Sequence, residues 1–175
     1  MDIISKMEEN IALVLATIDG TLQDGGYTYY SKTGTIEIED EVVSQLTNEE
    51  NGIDGSEVNY TIEQDTGEDG LDFSVGQNAF TNEIPYLISG KIHLNGDEQY
   101  PKRAAKIKMN ELLADLKHAF GNNYALNKTC NWFAYAGSNR IYAENNDIIQ
   151  TGTLEVRFSL NYAQAIYNPD VYACY

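Results

Sequence analysis

Ten consecutive residues, 153–162, alternate between polar and apolar side chains without a break, the apolar ones being Leu154, Val156, Phe158, Leu160 and Tyr162. Successive side chains of a β-strand point to opposite faces, so this pattern predicts a strand with one buried and one solvated face. A second alternation over residues 84–94, through Ile84, Tyr86, Ile88, Ile92 and Leu94, predicts another long strand. The apolar face of such strands must be covered, which points to a sheet packed against other elements.

Two segments have the period of an amphipathic helix and can supply that cover. Residues 2–18 carry an apolar stripe of Ile4, Met7, Ile11, Val14, Leu15 and Ile18. Residues 100–120 carry a second stripe of Ala105, Met109, Leu112, Leu113, Leu116 and Phe120. Pro101 suits the first turn of the second helix, and Gly121 is expected to end it.

Shorter strands are predicted at residues 27–30, 35–40, 129–136 and 140–144, with turns at 31–34 and 137–139. The order of these elements predicts one α+β domain over residues 1–175. Its single, mostly antiparallel β-sheet has both α-helices packed on one face. Residues 44–80 are rich in Gly, acids and amides, with one strand near 58–63. They are predicted to form an extended, mobile acidic loop or hairpin arm outside the core.

Charge is unevenly distributed along the chain. The net charge is −16, and residues 33–90 hold 14 acidic residues with no Lys or Arg. Such a block repels nucleic acid and anionic lipid, which argues against direct DNA binding through that surface. The second predicted helix instead carries five of the 11 basic residues, namely Lys102, Arg103, Lys106, Lys108 and Lys117.

No catalytic residue, cofactor or metal is expected from the sequence. The two histidines, His93 and His118, have no partner at ligand spacing, and nucleotide-binding loops and nucleophile elbows are missing. An acidic loop starting at Asp65 has the spacing of a calcium site only in part, because Gly76 would occupy the last ligand position. Cys130 and Cys174 are expected to be free thiols in a reducing compartment.

Neither a secretory signal nor a membrane span is expected. Acidic residues interrupt the opening helix at Asp2, Glu8 and Glu9, and no apolar run approaches membrane-spanning length.

The order of elements resembles the tail-terminator, or tail-completion, proteins of tailed bacteriophages. The resemblance rests on the opening helix (3–18), the strand entered through Ile-Pro-Tyr-Leu-Ile (84–88) and the helix ending Glu-Leu-Leu-Ala-Asp-Leu (111–116). The closing strand (152–162), followed by a short irregular tail, fits as well. The resemblance covers the chain outside residues 44–80, and other head–tail joining proteins share this general shape.

The resemblance implies a non-enzymatic virion protein, made in the host cytoplasm. It would form a homo-oligomeric ring, typically of six copies, that caps the tail tube. The implied partners are the tail tube protein and the head or neck connector proteins, and genomic DNA would pass through without specific binding.

A ring of head-to-tail contacts needs two unlike, complementary patches on each subunit. The segregated charges suggest what these patches are. We expect basic donors at Lys102, Arg103, Lys106 and Lys108, and acidic acceptors that include Glu37, Glu39, Asp65 and Asp69.

Two other functions fit the composition. A carbohydrate- or cell-surface-binding module would use the 13 tyrosines to stack on sugars and the acidic loop to hold calcium. A calcium-dependent shift in melting temperature would favour that module. An acidic mimic of DNA would instead bind a basic protein as a monomer.

Overall fold

The fold is described from a computed structural model covering residues 3–20, 23–45, 57–65, 74–75, 79–94, 101–145, 148–165 and 168–172. Its two helices are α1 (Ile3–Ala16) and α2 (Pro101–Asn122). The first five strands are β1 (Gln23–Asp24), β2 (Tyr27–Thr28), β3 (Lys32–Ile38), β4 (Glu41–Gln45) and β5 (Glu57–Gln64). The remaining strands are β6 (Ser74–Val75), β7 (Ala79–His93), β8 (Trp132–Asn145), β9 (Ile148–Ala165) and β10 (Asn168–Tyr172).

Eight strands form one sheet, in the order β10-β9-β7-β5-β3-β4, with β6 beside β7 and β8 beside β9. Every pairing is antiparallel except that of β3 with β5. The predicted α+β class and its single, mostly antiparallel sheet are therefore confirmed. β4 is the last strand at one end of the sheet, and β8 borders β9 at the other. β1 and β2 form a separate small hairpin.

Both helices pack on the same face of the sheet. Met7, Ile11 and Leu15 of α1 share one core with Met109, Leu112 and Leu116 of α2. The strands contribute their alternating apolar set to it, including Tyr60, Ile62, Tyr86, Ile88, Val156 and Phe158. The opposite face is polar, with Thr61, Ser89 and Glu155 in register across three strands. Within the described ranges no helix or strand packs on this polar face.

Two strand glycines allow α2 to lie close to the sheet. A Cβ at Gly152 would come within 2.7 Å of the Met109 Cε, and one at Gly90 within 3.2 Å of the Leu112 Cδ2. Gly90 also lies beneath Tyr60, whose Cε1 would be 3.0 Å from the same Cβ. A larger residue at either position would force the helix side chains to move.

The loop-arm prediction for residues 44–80 is wrong for β5. This strand lies between β3 and β7, and Val58, Tyr60 and Ile62 are fully buried in the core. A strand near 58–63 is predicted from the sequence, but the glycines and acids around it suggested an exposed position. Within the segment 44–80, residues 46–56, 66–73 and 76–78 lie outside the described residues.

Three smaller expectations also need correction. The predicted turn at 31–34 belongs mostly to β3, which begins at Lys32 because the parallel pairing with Glu57 of β5 starts there. The predicted turn at 137–139 is a β-bulge between Tyr135 and Gly137 within the continuous strand β8. β10 lies where an irregular tail was expected.

Candidate assembly surfaces

An open groove lies between α1 and β4, at one end of the sheet. It encloses about 530 Å³ and is lined by Glu9, Ala12, Leu13, Ala16, Ile38, Glu41, Val42, Val43 and Ser44. Leu13, Val42 and Val43 are 58%, 55% and 44% exposed. Its floor is apolar. We call it the acidic groove because Glu9 and Glu41 are part of its lining.

Local geometry explains why these apolar side chains are not in the core. Glu9, Leu13 and Ala16 follow one another at helical spacing along the side of α1 next to β4, away from the stripe that faces the sheet. In the pairing of β3 with β4, Ile36 is opposite Ser44 and Glu37 is opposite Val42. Val43 is therefore the extra residue of a bulge, an arrangement that redirects side chains at a sheet edge.

The turn between β3 and β4 is a two-residue connection through Glu39 and Asp40. Both residues have left-handed backbone angles, with φ of 47° and 69°. Hairpins of this kind favour Asn-Gly, because other L-residues are disfavoured there. This chain instead places acids in the turn, and with Glu37 and Glu41 they form what we call the acidic tip.

A basic surface lies at the other end of the sheet, on the flank of α2 that faces β8. Arg140 of β8 donates from Nη2 to the Asn110 Oδ1 at 2.7 Å, and the Lys117 Nζ lies 4.0 Å from the Tyr135 ring centroid. Arg103 and Lys106 share this flank, seven and four residues before Asn110. Ile107 lies beside them and is 47% exposed. We define the basic flank as Arg103, Lys106, Ile107, Lys117 and Tyr135.

The structure brings together only some of the predicted interface residues. Arg103 and Lys106 share the basic flank, and Glu37 and Glu39 share the acidic tip. Lys102 is exposed near the start of α2. Lys108 lies on the other side of the helix, where its Nζ is 3.5 Å from the Glu111 Oε2.

Two of the predicted acceptors lie elsewhere. Asp65 is paired within its own chain, its Oδ2 being 3.1 Å from the Arg157 Nε. Asp69 is outside the described residues.

Sequence reasoning missed the apolar part of both surfaces. Leu13 and Ile107 each lie two positions from a core residue, Ile11 and Ala105, and thus off the apolar stripe of their helix. An apolar residue in such a position is a signal of a contact surface when several lie together, whereas single exposed apolar residues are common on protein surfaces. The adjacent pair Val42–Val43 in an acidic stretch is a second signal of the same kind.

A buried carboxylate fixes the chain segment 27–31 against α2. Asp115 accepts hydrogen bonds from the Tyr30 and Ser31 backbone N–H groups, the Ser31 hydroxyl and the Tyr27 hydroxyl, at 2.6–3.1 Å. Tyr27 also stacks on His118, with ring centroids 4.0 Å apart. Burial, the hydrogen bond to Asp115 and its negative charge all raise the pKa of the Tyr27 hydroxyl. The arrangement has the geometry of a structural clamp.

The part of the chain that the structure describes contains no group of three or more His, Cys, Asp or Glu side chains arranged to hold a metal ion. None of its helices is both long and apolar enough to cross a membrane.

Comparison of the sequence with models of known protein families and with curated proteins finds no match.

Proposed function

We propose that this protein is a structural subunit of a tailed bacteriophage virion that assembles into a closed ring. The ring terminates the tail tube and joins it to the head or neck. The observation that carries the proposal is the position of two unlike surfaces at opposite ends of one sheet. The acidic groove and acidic tip are at the β4 end, and the basic flank is at the β8 end.

This arrangement suits head-to-tail association. A ring with rotational symmetry needs two different, mutually complementary surfaces on each subunit, whereas a two-fold dimer uses one surface twice. Two acidic grooves facing each other would bring like charges together, which costs free energy and disfavours the two-fold contact. The acidic end of one subunit facing the basic end of the next has no such cost. The family resemblance of the element order supports a ring of typically six copies.

The polar face of the sheet offers a surface for the passage of DNA. It carries Glu63, Glu83 and Glu155 against Lys91 and Arg157, and Arg157 is already paired with Asp65. An acidic lining repels the phosphate backbone, so genomic DNA passes without specific binding. The two rims of such a ring are then available to the tail tube protein and to the head or neck connector proteins.

Charge reversal tests the proposal. Arg103→Glu with Lys106→Glu replaces two positive charges on the basic flank with two negative ones, a net change of −4, and both side chains are exposed. Charged rims mainly steer encounter, so we expect ring formation to slow by about tenfold or more at low salt. The difference should shrink as salt screens the charges. The measurement is oligomer mass against time by light scattering over a series of salt concentrations.

The matched control is Lys91→Glu with Lys128→Glu. It makes the same change in net charge at exposed positions outside the basic flank. Equal assembly rates for wild type and the flank variant at every salt concentration would contradict the charge-directed contact. A rise in melting temperature on addition of calcium, with a monomeric mass, would favour the carbohydrate-binding alternative.

A further inference from the structure

We propose that the acidic groove of one subunit receives Ile107 of a second copy of this chain, with Arg103 and Lys106 placed against the acidic lining. This inference rests on the proposed self-assembly and specifies the contact that makes it. Its starting point is the groove itself. Its apolar floor lies at the edge of the sheet and includes Leu13, Val42 and Val43, which are 44–58% exposed. No described residue covers these side chains.

The position of the groove makes the exposed floor unusual. Proteins commonly protect the edge strand of a sheet with Lys, Pro or inward-pointing charges. β4 instead presents Val42 and Val43, and α1 adds Leu13 from the other side. Together with Ala12, Ala16 and Ile38 they form a contiguous apolar surface rather than scattered residues.

The basic flank has the complementary features. Ile107 is a single exposed β-branched side chain on a helix, with Arg103 one turn before it and Lys106 beside it. An apolar side chain with basic neighbours fits an apolar groove with acidic neighbours. The apolar centre would provide most of the affinity, whereas Glu9 and Glu41 against Arg103 and Lys106 would fix its direction.

The same features select between possible occupants. A second acidic groove is disfavoured because it would oppose Glu9 and Glu41 with identical charges. Within one chain the basic flank lies at the far end of the sheet from the groove, so it cannot reach the groove of its own chain. A second copy, bound head to tail, is the occupant that the charges favour.

Disulfide trapping between two single-cysteine variants tests this contact. Leu13→Cys and Ile107→Cys each replace an exposed side chain, and both are made in a Cys174→Ser background. Cys130 can remain because it is buried, and burial raises its pKa to about 12, so little thiolate is available for exchange. Each variant is oxidised alone and as an equal mixture, and the products are separated without reductant.

We expect covalent dimer in the mixture and none with either variant alone. A chain carrying both cysteines should give a ladder of higher covalent oligomers, because each subunit then links to two neighbours. Asn59→Cys, on the polar face, is the control partner for Ile107→Cys and should give no dimer.

Three results would overturn the inference, and they are distinguishable. Covalent dimer from Leu13→Cys alone would show that the groove contacts itself across a two-fold axis. Wild-type rings combined with no product from the mixture would place the subunit contact elsewhere, leaving the proposed ring intact. A wild-type protein that stays monomeric at every concentration would remove both the contact and the ring.

Discussion

At the scale of single residues, Asp115 is a buried acidic side chain that joins α2 to the segment 27–31. Its carboxylate is fully buried in α2 and accepts bonds from three residues of the segment 27–31. A buried charge is tolerated only when such bonds replace its hydration. We infer that Asp115 positions this segment on the helix, and that the charge of its side chain matters more than the side chain's size.

Replacing Asp115 with Asn tests this assignment. The amide keeps one acceptor oxygen but turns an N–H₂ group toward the donors of Tyr30 and Ser31. We expect a loss of about 2–3 kcal/mol in the free energy of unfolding, measured with urea, since bonds to a charged group are lost.

Glu111→Gln provides the control for that substitution. Glu111 is one turn earlier on α2 and is partly exposed, and it would lose an ion pair with Lys108 at 3.5 Å. Its expected cost is below about 0.5 kcal/mol. An Asp115→Asn variant as stable as this control would show that the buried carboxylate is not a clamp.

At the scale of helices and strands, periodicity predicted the elements that bury one side. α1, α2, β7 and β9 were all identified, because the core selects apolar residues at regular spacing in each of them. β10 and the continuity of β8 were missed. A bulge such as that at Tyr135 and Gly137 interrupts alternation without interrupting the strand.

The candidate surfaces were predicted only in part, for a related reason. Segregated charge pointed to Arg103, Lys106, Glu37 and Glu39. The groove could not be read from the sequence, because Leu13 and Val42 meet only through the pairing of β4 with β3 and the packing of α1. Such contacts between residues distant along the chain carry no periodic signal.

The two leucines of α2 give a graded test of helix-on-sheet packing. Leu116 is fully buried, whereas Leu113 is only partly buried at the edge of the same stripe. Leu116→Ala should therefore cost about 2–5 kcal/mol of unfolding free energy, and Leu113→Ala clearly less. Urea denaturation of both variants measures this, and equal losses would mean that α2 is rotated relative to the packing described.

At the scale of the whole molecule, the main feature is that unlike surfaces are separated by the width of a sheet. The acidic tip keeps Glu39 and Asp40 in a turn where Asn-Gly would be more favourable. We interpret this as acidity retained for a contact at the expense of local stability. The basic flank lies at the opposite end, so a chain of subunits can extend in one direction and close into a ring.

Native mass spectrometry of the wild-type protein, over a range of protein concentrations at low ionic strength, tests this central claim most directly. The account predicts one closed oligomer of defined copy number, typically six, in equilibrium with monomer and with no dimer as its end state. A monomer at every concentration, or a dimer that grows no further, would contradict it, because neither uses two unlike surfaces on each subunit.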